Sequence, residues 1–298
     1  MKILLFGKNG QVGWELQRSL AVLGELVALD RTDPAPLTAD LSRPQDLAKI
    51  VRHVEPDVIV NAAAYTAVDR AESEPEAAHM VNALAPGVLA QEAQRLGAWL
   101  VHYSTDYVFD GSGDQPRGED AATGPLSVYG RTKLEGEQQV RASGCRHLIL
   151  RTSWVYAARG GNFARTMLKL ASERERLTVI SDQVGAPTGA DLLADVTAHA
   201  LLAAVRNPKL AGTYHAVAGG ETSWHGYAQY VIEWARNSGH PVKVAPEAIE
   251  PVPTSAYVTA ARRPLNSRLE TSRLQRTFGL HMPHWQAGVH RMLIELTN

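Results

Sequence analysis

The chain has 298 residues, of which 45% are hydrophobic and 20% charged, with a formal net charge of -1. This is the composition of a globular protein long enough to bury a large core. Mixed charge signs argue against a nucleic-acid polymer as partner. The short apolar start at residues 1–6 argues against a leader or membrane anchor, and a single cysteine, Cys145, rules out an internal disulfide. A cytoplasmic setting is therefore expected.

Residues 2–6, 25–30, 57–61, 98–103 and 147–152 read as strands. They are apolar almost throughout, as strands covered on both faces of a parallel sheet should be. Between them, 11–23, 43–54, 75–96 and 126–142 carry the three-to-four-residue apolar spacing of helices. This alternation predicts a Rossmann-like, doubly wound α/β domain over residues 1–154. Further on, helices are expected at 162–172, 191–205, 224–238 and 284–296, and strands at 177–180 and 213–217. Residues 241–267, rich in Pro, Thr and Ser, show no periodicity and read as a long functional loop. A smaller C-terminal substrate-binding domain is expected from 155–189 and 219–298, the segment 190–218 returning to the first domain.

Gly7-Lys8-Asn9-Gly10-Gln11-Val12-Gly13 follows the first strand and opens the first helix. Glycines there let backbone approach a pyrophosphate, which the helix N-terminal N–H groups then hold. Asp30 ends the second strand, where a carboxylate can accept bonds from the adenosine ribose. Strand, glycines, helix, strand and acid in that order predict a nicotinamide dinucleotide site. Asp30 favours NADH by repelling a 2′-phosphate, while Lys8 and Arg31 soften that repulsion and leave NADPH open. Asp40-Leu41 offers either a contact to the adenine amino group or a turn. Ala63-Ala64-Tyr65-Thr66, leaving the third strand, is small enough at its start for a cofactor to lie across the strand ends.

Tyr103-Ser104-Thr105-Asp106-Tyr107-Val108 ends the fourth strand, and Tyr129-Gly130-Arg131-Thr132-Lys133 opens the next helix. Residues i and i+4 share a helix face, so Tyr129 and Lys133 can serve one site. Reducing a ketone takes a hydride to carbon and a proton to oxygen. A phenol near pKa 10 holds its proton too tightly for easy exchange, and bringing it to about 7 takes roughly 4 kcal/mol, within reach of a nearby ammonium. Thr105 or Ser104 would hold the carbonyl oxygen beside Tyr129.

Together these residues resemble the extended short-chain dehydrogenase/reductase family, in which sugar nucleotides are common substrates. The resemblance continues through Arg151-Thr152-Ser153-Trp154-Val155-Tyr156, Asp182-Gln183-Val184-Gly185-Ala186-Pro187-Thr188 and Arg263-Pro264-Leu265-Asn266-Ser267, and so covers nearly the whole chain. It implies Thr105, Tyr129 and Lys133 as the catalytic trio, Tyr103 with Tyr129 and Lys133 among the cofactor contacts, and Asp106, Trp154, Arg263 and Asn266 toward the sugar nucleotide. Leu265 departs from the small residue expected in its loop. The resemblance further implies a homodimer and a magnesium ion held between subunits by Glu15, Asp191 and Glu295.

Three other readings share the fold. A sugar-nucleotide 4,6-dehydratase uses an Asp-Glu pair after the active threonine, whereas here Asp106 is followed by Tyr107. An epimerase retains its cofactor. A non-catalytic NADP-binding regulatory subunit, like that of methionine adenosyltransferase, carries the same Tyr-x-x-x-Lys pattern; the Trp154 block and the 263–267 loop favour the enzyme.

Overall fold

The computed structural model describes residues 1–297. Strand β1 (Lys2–Phe6) leads through α1 (Gln11–Ala21), β2 (Glu25–Leu29) and α2 (Pro44–Val54) to β3 (Val58–Asn61). Then follow α3 (Val68–Ala71), α4 (Pro75–His79), a π turn at Met80–Leu84, α5 (Ala85–Leu96), β4 (Trp99–Thr105), α6 (Val128–Ala142) and β5 (Arg146–Thr152). The next elements are β6 (Val155–Tyr156), α7 (Phe163–Glu173), β7 (Leu177–Ile180), β8 (Val184–Gly185), β9 (Thr188–Gly189) and α8 (Ala190–Arg206). The chain ends through β10 (Gly212–His215), β11 (Thr222–Ser223), α9 (Trp224–Asn237), β12 (Ile249–Val252), α10 (Ser272–Phe278) and α11 (Trp285–Thr297).

Six strands pair in parallel in the order β10-β5-β4-β3-β1-β2. Their side chains alternate between two cores, as the period-two pleat requires. Ile3, Leu5, Val58, Val60, Val101, Leu148 and Leu150 face α1 and α8, meeting Leu16, Leu20 and Leu201. Leu4, Phe6, Ile59, Leu100 and Ile149 face the other way, toward Leu47, Ile50, Leu89 and Val140 of α2, α5 and α6. Strand order reverses direction between β1 and β3, which opens a crevice at the carboxyl ends of those strands. A third core, including Met167, Leu177, Tyr227, Val231, Trp285, Val289 and Leu293, joins α7, α9 and α11. Among the described residues no helix is long and apolar enough to cross a membrane.

Two expectations are corrected. Residues 75–96 are not one helix. Pro86 has no N–H to return to the carbonyl of Asn82, and the ladder widens into the π turn there. Gly136 of α6 fills the gap, since a Cβ on it would stand 2.1 Å from that carbonyl oxygen. Nor is 241–267 structureless: β12 pairs in parallel with β7, Ile249 opposite Leu177. Pro251 inside so short a strand hid the signal.

Candidate active site

The glycine turn is built for a close approach. Gly7 has φ +89°, and a Cβ there would stand 2.8 Å from the Ala63 nitrogen. A Cβ on Gly13 would stand 2.0 Å from the Gly7 oxygen. Gly10 is the N-cap of α1 and supplies no side-chain bond, so the first N–H groups of α1, at Gln11 and Val12, lack side-chain and intrahelical partners. That is the donor set a pyrophosphate takes.

Asp30 is buried at the end of β2. Its Oδ1 accepts bonds from the Thr32 nitrogen and hydroxyl, both at 2.7 Å, and Oδ2 accepts from Asn9. Burial raises its pKa, but these bonds and the charge of Lys8 outweigh that and hold it below the ordinary carboxylate value. Lys8 is paired with Asp33 at 2.5 Å. Asp40 closes a turn, accepting from the Ser42 nitrogen and hydroxyl at 2.9 and 2.8 Å, and Leu41 is buried in the core.

Ala63, Ala64, Tyr65 and Thr66 follow the carboxyl end of β3, with Ala63 against the Gly7 turn. Asn82, buried in the π turn, clamps this loop by accepting from the Tyr65 nitrogen at 2.9 Å and donating to the Tyr65 carbonyl at 3.1 Å. It also donates to the Thr132 hydroxyl at 3.3 Å, which ties the loop to the helix of Tyr129 and Lys133. Sequence reasoning missed Asn82. The nearby Pro86, an interruption inside a helical pattern, was the signal available for it.

Ser127 caps α6 by accepting from the Gly130 nitrogen at 3.2 Å, and this sets the turn that carries Tyr129. Burial pushes the Tyr129 phenol up to about 12; a hydrogen bond with Thr105 works against that, and the charge of Asp106 adds to it. Lys133 is 2% exposed, and its Nζ donates to the Tyr103 carbonyl at 2.6 Å and lies 3.4 Å from His102 Nε2. Burial lowers its pKa to about 8, while the charge of Glu137 raises it. In the free chain, then, Lys133 faces the sheet and the phenol stays protonated; the expected depression of the Tyr129 pKa by Lys133 is not found. Tyr103 offers this site only its carbonyl, since its hydroxyl bonds Thr197 in α8 at 2.5 Å.

Thr105 donates to Asp106 Oδ1 at 3.1 Å and accepts from the Tyr107 nitrogen at 3.2 Å. Burial pushes Asp106 up to about 6, while bonds from Ser267 and Thr105 lower it. The Tyr107 ring packs edge-on against Tyr129 at 5.3 Å, and Tyr107 also lines a cavity of about 600 Å³. Phe163, Trp224, Tyr257, Arg176 and Arg263 are further walls of that cavity. Trp154 takes the left-handed conformation, φ +49°, and lays its indole on Trp224 at 3.7 Å and 14°. Arg263 is engaged by Asp69. The Asn266 amide donates to the Ser112 and Gln115 carbonyls and accepts from Arg268, so it ties its own loop to the 112–115 loop instead of facing the cavity. Leu265 is 46% exposed, and its loop uses only its carbonyl, which accepts from the Val184 nitrogen at 2.8 Å.

Glu15, Asp191 and Glu295 lie on α1, α8 and α11. Glu15 is raised by burial and by the charges of Asp191 and Glu295, so the three are neighbours. Arg291 pairs with Asp191 at 3.4 Å and Glu295 at 3.0 Å, and Arg18 with Glu15 at 3.7 Å. Among the described residues no group of three acids, histidines or cysteines is arranged to hold a metal. These acids, already matched by arginines, do not fit a magnesium ion within one chain.

The family model described as RmlD substrate binding domain matches residues 1–298. A dTDP-4-dehydrorhamnose reductase of Shigella flexneri is 57% identical over 99% of this chain and 98% of its own. The crystal structure of a Clostridium acetobutylicum dTDP-4-dehydrorhamnose reductase superposes with a TM-score of 0.88 at 35% identity, covering 100% of both chains. That of the Bacillus anthracis dTDP-4-dehydrorhamnose reductase in complex with NADP gives 0.87 at 33% identity, covering 99% of each.

Proposed function

This chain belongs to the dTDP-4-dehydrorhamnose reductases, and from that premise we infer that it reduces the C4 ketone of dTDP-4-dehydro-L-rhamnose to dTDP-L-rhamnose, using NADH or NADPH. The observation that carries the reading is the pair Tyr129 and Lys133 on one face of α6, a helix tied through Asn82 to the dinucleotide crevice, with burial raising the pKa of the phenol.

The reduced nicotinamide supplies the hydride, for which the chain has no group of its own. Gly7, Gly10, Gly13 and the first turn of α1 would hold its pyrophosphate, and Asp30 its adenosine ribose. The cradle that a Cβ on Gly7 or Gly13 would fill supports this fit. Tyr129 holds the proton destined for the ketone oxygen, and Thr105 orients that oxygen. Lys133, anchored by the Tyr103 carbonyl, would use its remaining hydrogens to hold the nicotinamide ribose and ease reprotonation of the phenol. Trp154 and Asp106 would border the sugar. The aromatic cavity with Arg176 and Arg263 suits a nucleoside diphosphate, aromatic faces for the base and guanidinium groups for phosphate. This assigns residues 155–189 and 219–298 to substrate and 1–154 with 190–218 to cofactor.

A homodimer is part of the proposal. Trp14, Leu202, Val205 and Ile294 are exposed apolar side chains on α1, α8 and α11, the same helices that carry Glu15, Asp191 and Glu295. A shared cation there would take ligands from a second copy and the displacement of Arg291. A cytoplasmic setting accords with the single buried thiol of Cys145.

The test is loss of NADH or NADPH absorbance with dTDP-4-dehydro-L-rhamnose prepared enzymatically. Turnover with either cofactor is the expected result. No consumption with both would favour the non-catalytic reading.

A further inference from the structure

Beneath Lys133 lies a buried polar chain that the reduction does not use directly. Asn61 ends β3 directly opposite His102 in β4, and the two are 1% and 0% exposed. Asn61 Nδ2 is 3.2 Å from His102 Nδ1, and His102 Nε2 is 3.4 Å from Lys133 Nζ.

The hydrogen-bond roles follow from one anchor. The Ala63 nitrogen donates to Asn61 Oδ1 at 3.2 Å, so the Asn61 amide cannot be flipped without setting two donors against each other. Its NH₂ therefore faces the imidazole, and Nδ1 must accept. Burial, with the charges of Lys133 and His147, keeps His102 neutral. A neutral imidazole that accepts at Nδ1 carries its hydrogen on Nε2. That N–H points at the Lys133 amine, which is itself a donor.

We propose that Asn61 and His102 are a positioning pair for Lys133: the amide locks the imidazole in its Nε2–H form, and that N–H denies Lys133 a second partner on the sheet side. Only the Tyr103 carbonyl then anchors the amine, and its other hydrogens turn to the crevice, toward the cofactor ribose and Tyr129. A donor facing a donor also disfavours the ammonium. The other groups around the amine do not cancel this. Glu137, one turn along α6, favours the charge but is neutralised by Arg151 from β5 at 2.7 Å and by Arg141 at 3.0 Å. Tyr129, one turn earlier, is protonated, and Thr132 and Asn82 are uncharged.

The inference rests on Lys133 serving the cofactor and phenol. That reading fails separately, through unimpaired turnover by Lys133→Met, whereas the imidazole tautomer is read without any activity. Nitrogen NMR of histidine-labelled wild-type protein, with the His102 ring assigned through the backbone, should show a protonated Nε2 and a bare Nδ1. A protonated Nδ1 overturns the proposal, whatever any variant does. Asn61→Asp still accepts from Ala63 but also accepts from Nδ1, so it moves the hydrogen and makes Nε2 an acceptor for Lys133. The alkaline limb of kcat/KM should then rise by about one pH unit, a tenfold change in proton affinity. Adding His102→Phe removes the tautomer but keeps the new charge, and most of the shift should vanish. An equal shift in Asn61→Asp and in the double variant would mean that charge alone acts, and the proposal falls.

Discussion

Arg263 and Asp69 form a two-pronged pair, Nη1 to Oδ1 at 3.1 Å and Nη2 to Oδ2 at 2.5 Å, joining the loop before α10 to α3. The Ala261 nitrogen donates to the same carboxylate at 3.1 Å, so the loop's backbone is held as well as its charge. These bonds hold Asp69 below the ordinary carboxylate range, the guanidinium contributing most. Arg263 also walls the aromatic cavity, so a substrate phosphate would compete with Asp69 for it. Partly exposed pairs of this kind contribute about 0–1 kcal/mol. Asp69→Asn should therefore lower the substrate KM up to about fivefold with kcat little changed, and Arg263→Leu should raise it. A steady-state comparison in which Asp69→Asn binds substrate more weakly would show that the pair shapes the site more than it competes for it.

Tyr129→Phe keeps the ring that packs on Tyr107, so folding and cofactor affinity should survive. Turnover should fall about 10²–10⁴-fold, the usual worth of a positioned acid. Thr105→Val should cost roughly 1–3 kcal/mol, one buried hydrogen bond. Near-normal kcat in folded Tyr129→Phe would redirect attention to Asp106, the other buried acid beside Thr105.

Asp30 is held by Thr32 and Asn9 with Lys8 close by, which tempers its repulsion of a 2′-phosphate. Asp30→Ala should shift kcat/KM toward NADPH by about 1–3 kcal/mol. Equal losses with both cofactors would make Asp30 a fold residue of the 30–33 turn and nothing more.

Much of this was legible because local signals carried it. Buried parallel strands advertise themselves as apolar runs, and Gly7, Gly13 and the Tyr129/Lys133 spacing sit on elements whose start the sequence announces. What stayed hidden depends on contacts between distant segments. The Asn82 clamp needs a π turn that helical periodicity cannot distinguish from a helix. The roles of Asn61 and His102 appear only when β3 and β4 are set in register. Asn266 sits in a recognisable block, yet its amide turns to Ser112 and Gln115, more than 100 residues earlier. The direction of Lys133 was missed for the same reason, its nearest acceptor being a carbonyl of the neighbouring strand.

The acids of α1, α8 and α11 lead to an assembly prediction. Arg291 already supplies a cation to Asp191 and Glu295. A chelator should therefore leave both the dimer and single-turnover reduction intact, whereas Arg291→Ala should make dimerisation depend on added magnesium. Oxygen ligands suit that ion, and a site short of one charge should welcome it. Sedimentation with and without chelator decides the matter; a wild-type dimer that dissociates on chelation would mean that Arg291 yields to metal in the assembled protein.

The last prediction concerns acid stability. Glu137 is fully buried, accepting from Arg151 Nε and Nη2 at 2.8 and 2.7 Å, and Arg151 Nη1 donates to the Glu119 carbonyl at 3.1 Å. Burial alone raises the Glu137 pKa, but Arg151 first, then Ser104 and Arg141, outweigh it and leave it below the ordinary 4.5. A carboxyl lowered by folding adds stability that is fully present above its unfolded pKa and lost as pH falls through the folded value. Below pH 4.5 the pair should therefore weaken with falling pH. Arg151→Met leaves the carboxylate buried with only the partly exposed Arg141 as counter-ion, and removing one partner of a buried pair costs about 3–5 kcal/mol. Because the carboxyl then loses its strongest hydrogen-bond donors, its folded pKa rises toward the unfolded value or past it, and the acid-induced loss that Glu137 contributes shrinks or reverses. Urea midpoints taken from neutral pH downward should thus show a lower plateau for Arg151→Met and a shallower decline, the two proteins drawing closer in acid. A variant as stable as wild type across that range would mean that the ion pair is replaceable by packing, its role confined to holding the charge next to Lys133.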